Sequence, residues 1–153
     1  MRIYLGLGTN LGDKELNLRV AVQKIEERIG KVISLSAFYA TAPWGFQSDN
    51  NFLNAAAGVE TFLSPFDILE RTQRIEQEIG RLHKSHDGVY SDRLIDIDLL
   101  LYGDKILQDE RLSLPHPLMA ERKFVLEPLA EIAPDVVHPV LHKTIRELFL
   151  VLS

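Results

Sequence analysis

Residues 93–104 read RLIDIDLLLYGD, with Asp96 and Asp98 one residue apart inside an apolar run. Side chains two apart on a strand share a face. Asp96 and Asp98 are therefore expected on one side with Leu100 and Tyr102, and Ile95, Ile97, Leu99 and Leu101 on the other. The carboxylates would stand roughly 7 Å apart along the strand. Like charges repel, and burying either alone is costly. A divalent cation relieves both problems, and Mg²⁺ takes one or two carboxylates together with phosphate oxygens and water. A strand end facing water is the plainer reading of a bare D-x-D pair. Arg81 and Arg93 bracket a polar segment, and His83 and Lys84 stand near Arg81. These cations either form ion pairs with the carboxylates or hold a polyphosphate whose metal the carboxylates bind. In LPHPLMAERKF, His116 and Arg122 are polar among apolar neighbours, which fits a surface position or a ligand contact. Phe52 and Asn54 offer an aromatic plate beside an amide, a pairing that suits a flat heterocycle. Phe124 can supply an opposing plate, and core packing is the alternative for Phe52.

Other chemistries are excluded. GLGTNLGD is spaced G-x-G-x-x-x-G, and no parallel βαβ unit follows it, so it is not a dinucleotide fingerprint. No P-loop and no protein-kinase signature set occurs. The absence of cysteine rules out a disulfide framework and thiolate chemistry. A net charge of −5 argues against a nucleic-acid partner held by phosphate contacts. The glycine-broken N-terminus is neither a signal peptide nor a membrane span. The chain is expected to be a single domain over residues 1–153, monomeric and cytoplasmic, with no membrane partner.

The elements that must position these residues follow from periodicity and turn signals. Arg2 to Leu7 reads as a buried strand ending in the turn-rich Gly8–Asp13. Asp13 caps a helix whose apolar face is Leu18, Ala21, Val22, Ile25 and Ile29, with Gly30 at its C′ position. Val32 to Thr41 reads as one strand, APWGFQSDNN as a loop, and Phe52 to Phe62 as a strand. Ser64-Pro65-Phe66-Asp67 starts a second helix, with Ile68, Thr72, Ile75 and Ile79 inward and Gly80 closing it. After the aspartate strand come a hairpin (Lys105 to Leu112), a turn around Pro115 and Pro117, and two short helical segments. The order predicts an α+β protein: a ferredoxin-like βαββαβ sandwich with a C-terminal hairpin and helical extension.

Seven segments, in this order, carry a resemblance: YLGLGTNLGD, FYATAPWG, FLNAA, TQRIE, RLIDIDLLLYG, LPHPLM and EPLAEIAPD. Over essentially its full length the chain resembles the hydroxymethyl-dihydropterin pyrophosphokinases of folate biosynthesis. The resemblance implies a ferredoxin-like fold and transfer of pyrophosphate from ATP, the co-substrate, to the hydroxymethyl group of a reduced pterin, releasing AMP. It implies two Mg²⁺ ions held by Asp96 and Asp98. It places Gln73, Glu76, His83, Tyr90, Arg93, Arg111 and His116 on the nucleotide, and Arg81, Arg93 and Arg122 with the aspartates at the reacting groups. Thr41, Pro43, Trp44, Phe52, Asn54 and Phe124 fall on the pterin pocket. His83, Tyr90, Ser91-Asp92 and Pro117 depart from the commonest family pattern.

Two other classes fit parts of this pattern. A two-metal nucleotidyl transferase or cyclase also puts aspartates on such a sheet, but an acidic chain without a basic stripe suits a polymeric substrate poorly. A non-catalytic binding module leaves Asp96, Asp98, Arg81 and Arg93 unexplained. The segment Leu82 to Asp92 is polar and lacks apolar periodicity, so it is expected to be open in the free protein and to close over the phosphates when nucleotide and pterin are both bound.

Overall fold

The computed structural model describes residues 1–41, 51–81 and 94–153. The first strand, β1 (Arg2–Thr9), alternates as its sequence dictates. Ile3, Leu5 and Leu7 enter one apolar cluster, and Tyr4 enters another on the opposite face. The strand runs two residues past its expected end, because Gly8 and Thr9 pair with Asn54 and Leu53. The helix α1 (Lys14–Arg28) begins where Asp13 accepts the Leu16 amide at 3.1 Å. Asn17 is buried and donates to Thr9 Oγ1 and the Leu11 carbonyl, which fixes the intervening turn.

The single strand expected over Val32 to Thr41 is two, β2 (Lys31–Leu35) and β3 (Tyr39–Thr41), both antiparallel to β4 (Phe52–Glu60). Ser36 causes the break. Its hydroxyl takes the Ala56 amide that a strand carbonyl would otherwise receive. The second helix, α2 (Pro65–Arg81), starts with the Asp67 amide donating to Ser64 Oγ at 3.2 Å. Ile68, Thr72, Ile75 and Ile79 are its buried face, as expected. Each such isoleucine contributes roughly 1.5–3 kcal/mol of burial. Gly80 lies inside this helix rather than closing it.

The aspartate strand is β5 (Asp96–Tyr102), and it pairs antiparallel with β1. Leu5 faces Leu99 while Tyr4 faces Leu101, so Leu100 is an extra residue in the ladder. This bulge corrects the expected alternation beyond Leu100. Leu100 and Leu101 both enter the second cluster, and Tyr102 turns back to the first, its hydroxyl donating to the Leu63 carbonyl at 2.7 Å.

The sheet order is β2-β4-β1-β5, with β3 also paired to β4. Counting β2 and β3 as one strand, that is the antiparallel 4-1-3-2 order of a ferredoxin-like α+β fold, as expected. Helices α1 and α2 cover one face. A hairpin, β6 (Leu107–Gln108) and β7 (Ser113–Leu114), leads through a cis Leu114–Pro115 bond to a 3-10 turn, Met119–Glu121. Then α3 (Lys123–Ile132) and α4 (Ile145–Leu152), the latter opened by a Thr144–Glu147 capping box, cover part of the other face. The hairpin closes two residues later than Leu112. No helix among the described residues is long and apolar enough to cross a membrane.

Gly30 is not in the left-handed region that a C′ glycine adopts, because the positive-φ glycines among the described residues are Gly12 and Gly103. Its role is close approach: a Cβ there would lie 2.1 Å from the Glu60 carbonyl oxygen. Gly30→Ala should therefore destabilise the fold by about 2–4 kcal/mol in urea unfolding, since backbone must move. Gly80→Ala, where a Cβ meets nothing within 4 Å, should stabilise by about 0.5–1 kcal/mol.

Candidate active site

Ile97 and Leu99 point into the core beneath α1 and α2, so the alternating Asp96 and Asp98 lie on the opposite sheet face. Both are half-buried. The register then decides what stands beside them. Asp96 is opposite Gly8, Gly8 is opposite Asn54, and Asn54 is opposite Tyr39, in one row across four strands. Asp98 is opposite Gly6 in the same way. Opposed residues in an antiparallel ladder present side chains on the same face, so Gly8, a position without a side chain, separates Asn54 from Asp96, whereas the space over Gly6 is filled by Leu100, 3.3 Å from where a Gly6 Cβ would be. Two strand spacings put Asn54 and Asp96 about 10 Å apart. Phe52, one pleat from Asn54, belongs to the same wall, within 3.9 Å of where a Gly8 Cβ would be.

The Asn54 amide is held. Its Nδ2 donates to Thr41 Oγ1 at 2.7 Å, and Asn54 is only 4% exposed. Phe124 and Arg122 open α3, which packs against β4, and the Arg122 guanidinium lies 5.7 Å from the Phe124 ring centroid. Pro43 and Trp44 lie outside the described residues.

On the other side of the aspartates, β5 is the edge of the sheet. A cavity of about 230 Å³ opens there, walled by Thr72 of α2, Ile97 to Leu99, Arg111 and Ser113 of the hairpin, and His116. The Ile97 amide donates at 2.7 Å to Glu76, and the Leu100 carbonyl accepts the His116 amide at 2.9 Å. Arg111 is exposed, and its guanidinium lies 5.5 Å from the Phe66 ring centroid. Gln73 is exposed on α2 and is not part of the cavity wall. Arg81 is the last residue of α2, while His83, Tyr90, Arg93 and the whole proposed lid, 82–92, lie outside the described residues.

The electrostatics are those of crowded carboxylates. Burial and the negative Asp96 and Asp98 push the Glu76 carboxyl up to about 7, against the lowering effect of the Ile97 amide. Burial, then the neighbouring Arg122, lowers the His116 imidazole, and Asp96 opposes that shift. Nδ1 of His116 accepts the Leu118 amide, so the proton of the neutral ring sits on Nε2. No group of three or more His, Cys, Asp or Glu among the described residues is arranged to hold a metal. The pair of aspartates is the arrangement that Mg²⁺ uses when a substrate's phosphates complete its shell.

A family model, "7,8-dihydro-6-hydroxymethylpterin-pyrophosphokinase (HPPK)", matches residues 4–134. The chain belongs to that family. Family membership makes it an ATP-dependent pyrophosphokinase acting on a hydroxymethyl-dihydropterin. A 2-amino-4-hydroxy-6-hydroxymethyldihydropteridine pyrophosphokinase of Porphyromonas gingivalis is 49% identical over 139 residues, 90% of this chain and 93% of that one. The protein of the same description from Aquifex aeolicus is 38% identical over 145 residues, 95% of this chain and 88% of that one. Among solved structures, a wild-type HPPK-DHPS of Plasmodium falciparum superposes with a TM-score of 0.78 over 99% of this chain at 19% identity. This chain spans 44% of that longer one, and the likeness bears on the fold.

Reasoning from sequence singled out Asp96, Asp98, Asn54 and Phe52 but not Gly8 between them. The signal was present: with Ile3, Leu5 and Leu7 turned to the core, Gly6 and Gly8 had to share the other face.

Glu76 yields a stability prediction. Its folded-state value lies above the ordinary carboxylate range, so the folded protein binds that proton more tightly. The stability this confers is complete below about pH 4.5 and is lost as pH rises through about 7. Glu76→Gln retains an acceptor for the Ile97 amide and cannot ionise. In metal-free urea unfolding, wild type should lose up to about 3 kcal/mol relative to Glu76→Gln between pH 4.5 and 8. A pH-independent difference between the two would contradict the assignment.

Proposed function

We propose that residues 1–153 act as one monomeric pyrophosphokinase domain in the cytoplasm, in which the two sides of the aspartate pair receive the two substrates. The pterin lies over Gly8 against Phe52 and Asn54, with Thr41, Pro43, Trp44 and Phe124 completing its pocket. ATP enters at the β5 edge, met by Gln73, Glu76, His83, Tyr90, Arg93, Arg111 and His116. Asp96 and Asp98 face the space where the phosphates and the hydroxymethyl group come together. The observation that carries this reading is the register row Asn54–Gly8–Asp96.

The residues fit Mg²⁺. The Glu76 carboxyl, raised by burial and by the two neighbouring aspartates, marks a site crowded with negative charge, and an all-oxygen pair of donors suits a hard cation. Asp96 and Asp98 would hold two such ions, which when bound neutralise phosphate charge and make the β-phosphorus more electrophilic. The remaining steps belong to the chain. Phe52 and Asn54 orient the pterin so that its hydroxyl oxygen lies in line with the β-phosphorus, converting a bimolecular encounter into a positioned one. That oxygen bonds to the β-phosphorus as the bond from β-phosphorus to the α-phosphate oxygen breaks. The diphosphate leaves with the pterin, and AMP departs carrying the bridging oxygen. Arg81, Arg93 and Arg122 are the cations assigned to the charge developing on these oxygens. Nε2–H of His116 is a neutral donor for the nucleotide. The hydroxyl proton leaves to solvent as the new oxygen–phosphorus bond forms.

Asp96→Asn and Asp98→Asn should each lower AMP formation from MgATP and 6-hydroxymethyl-7,8-dihydropterin by about a hundredfold or more. Both should fold, since removing a charge relieves repulsion in the metal-free protein. Near-wild-type turnover in both variants would remove the metal assignment. ADP in place of AMP from the wild type would remove the proposed reaction. Phe52→Ala should weaken pterin binding by about ten- to a hundredfold, with ATP binding within about twofold of wild type in calorimetry. Equal losses for both ligands would point to a folding defect.

A further inference from the structure

The segments FYATAPWG and EPLAEIAPD are far apart in sequence, and the chemistry above draws little from either beyond Thr41, Pro43 and Trp44. The structure joins them. Where β2 gives way to β3, the chain leaves the β4 ladder. Ser36 closes the gap on one side with its amide to the Ala56 carbonyl and its hydroxyl on the Ala56 amide. The next amide, Ala37, donates to both carboxylate oxygens of Glu131, at 3.2 Å each. The Tyr39 hydroxyl donates to the same carboxylate. One side chain of α3 thus accepts from both Ala37 and Tyr39.

The consequence reaches the pterin wall in two short steps. β3 is three residues long, too short to hold its own place. Tyr39 is opposite Asn54, and Thr41 accepts the Asn54 amide at 2.7 Å. A fixed Tyr39 therefore fixes Thr41, and Thr41 fixes Asn54. Glu131 itself is exposed, so its bonds add little to global stability, and their effect is local. We propose that Glu131 is a positioning residue for the pterin: it anchors β3 through Ala37 and Tyr39 and so sets the Thr41–Asn54 pair at the pterin wall. The inference rests on the functional reading above. The phenol of Tyr39 is pushed up to about 12, chiefly by its bond to Glu131 and then by burial, so it stays a donor throughout the working pH range.

The test compares wild type with Glu131→Ala, Glu131→Gln and Tyr39→Phe. Two quantities are measured: hydrogen exchange at residues 37–41, and steady-state KM for pterin and for ATP. Glu131→Ala should lose protection at residues 37–41 and raise the pterin KM by about five- to tenfold. Its ATP KM should stay within about twofold and its thermal midpoint within a few degrees of wild type. Glu131→Gln keeps an oxygen for both donors and should restore protection and pterin KM to within about twofold. Tyr39→Phe should fall between. Unchanged exchange in Glu131→Ala would overturn the anchor, whatever the activity. Changed exchange with an unchanged pterin KM, or equal rises in both KM values, would overturn its link to the pterin. A wild type that makes no AMP would instead overturn the functional reading, and the exchange result would still judge the anchor.

Discussion

Everything at the proposed centre depends on one position of its floor, Gly8, having no side chain. A sheet face is normally filled by alternate side chains of each strand, and β1 is the strand between the Asn54 wall and the aspartate wall. Any side chain at Gly8 would occupy the space between them, and a Cβ alone would come within 3.0 Å of Asn54 Oδ1. Glycine there leaves the floor between Asn54 and Asp96 without a side chain of its own. An extended side chain on β1 would not leave room for the flat heterocycle proposed to lie there.

The two walls are only as useful as they are rigid, and the core supplies that rigidity. Ile97 and Leu99 are each 5% exposed and alternate with Asp96 and Asp98, so moving the carboxylates would mean moving the core. The cost of holding like charges together shows in the raised Glu76 carboxyl. That cost is local and is offset by apolar burial elsewhere in the strand. The bulge at Leu100 then lets both Leu100 and Leu101 join the apolar cluster with α3 and α4, which covers one end of the aspartate face.

Much of this was legible in the sequence. Two helical faces of isoleucine and leucine, two capping signals, and the β-β connection without a helix were enough for the fold. The aspartate pair stood out because charge in an apolar run requires a reason. What stayed hidden has a common cause, which is contact between segments distant in sequence. The break between β2 and β3 depends on Ser36 meeting Ala56. The need for Gly30 depends on the Glu60 carbonyl, not on local φ. The turn of Tyr102 depends on a register shift against β1. The roles of Gly8 and Glu131 appear only once strand register is known. Pro43, Trp44 and Tyr90, read from family resemblance, and His83 and Arg93, also picked out by their charge near the aspartates, lie outside the described residues.

The central claim, that a bare position on β1 lets pterin and phosphates meet, is tested most directly at Gly8. The measurement is calorimetric binding of 6-hydroxymethyl-7,8-dihydropterin to Gly8→Ala in the presence of Mg²⁺ and a non-hydrolysable ATP analogue. The added methyl displaces the Asn54 amide by a few tenths of an ångström and fills part of the floor. The account predicts pterin affinity about ten- to a hundredfold weaker, with binding of the analogue alone and the thermal midpoint close to wild type. Wild-type pterin affinity in a folded Gly8→Ala protein would contradict it.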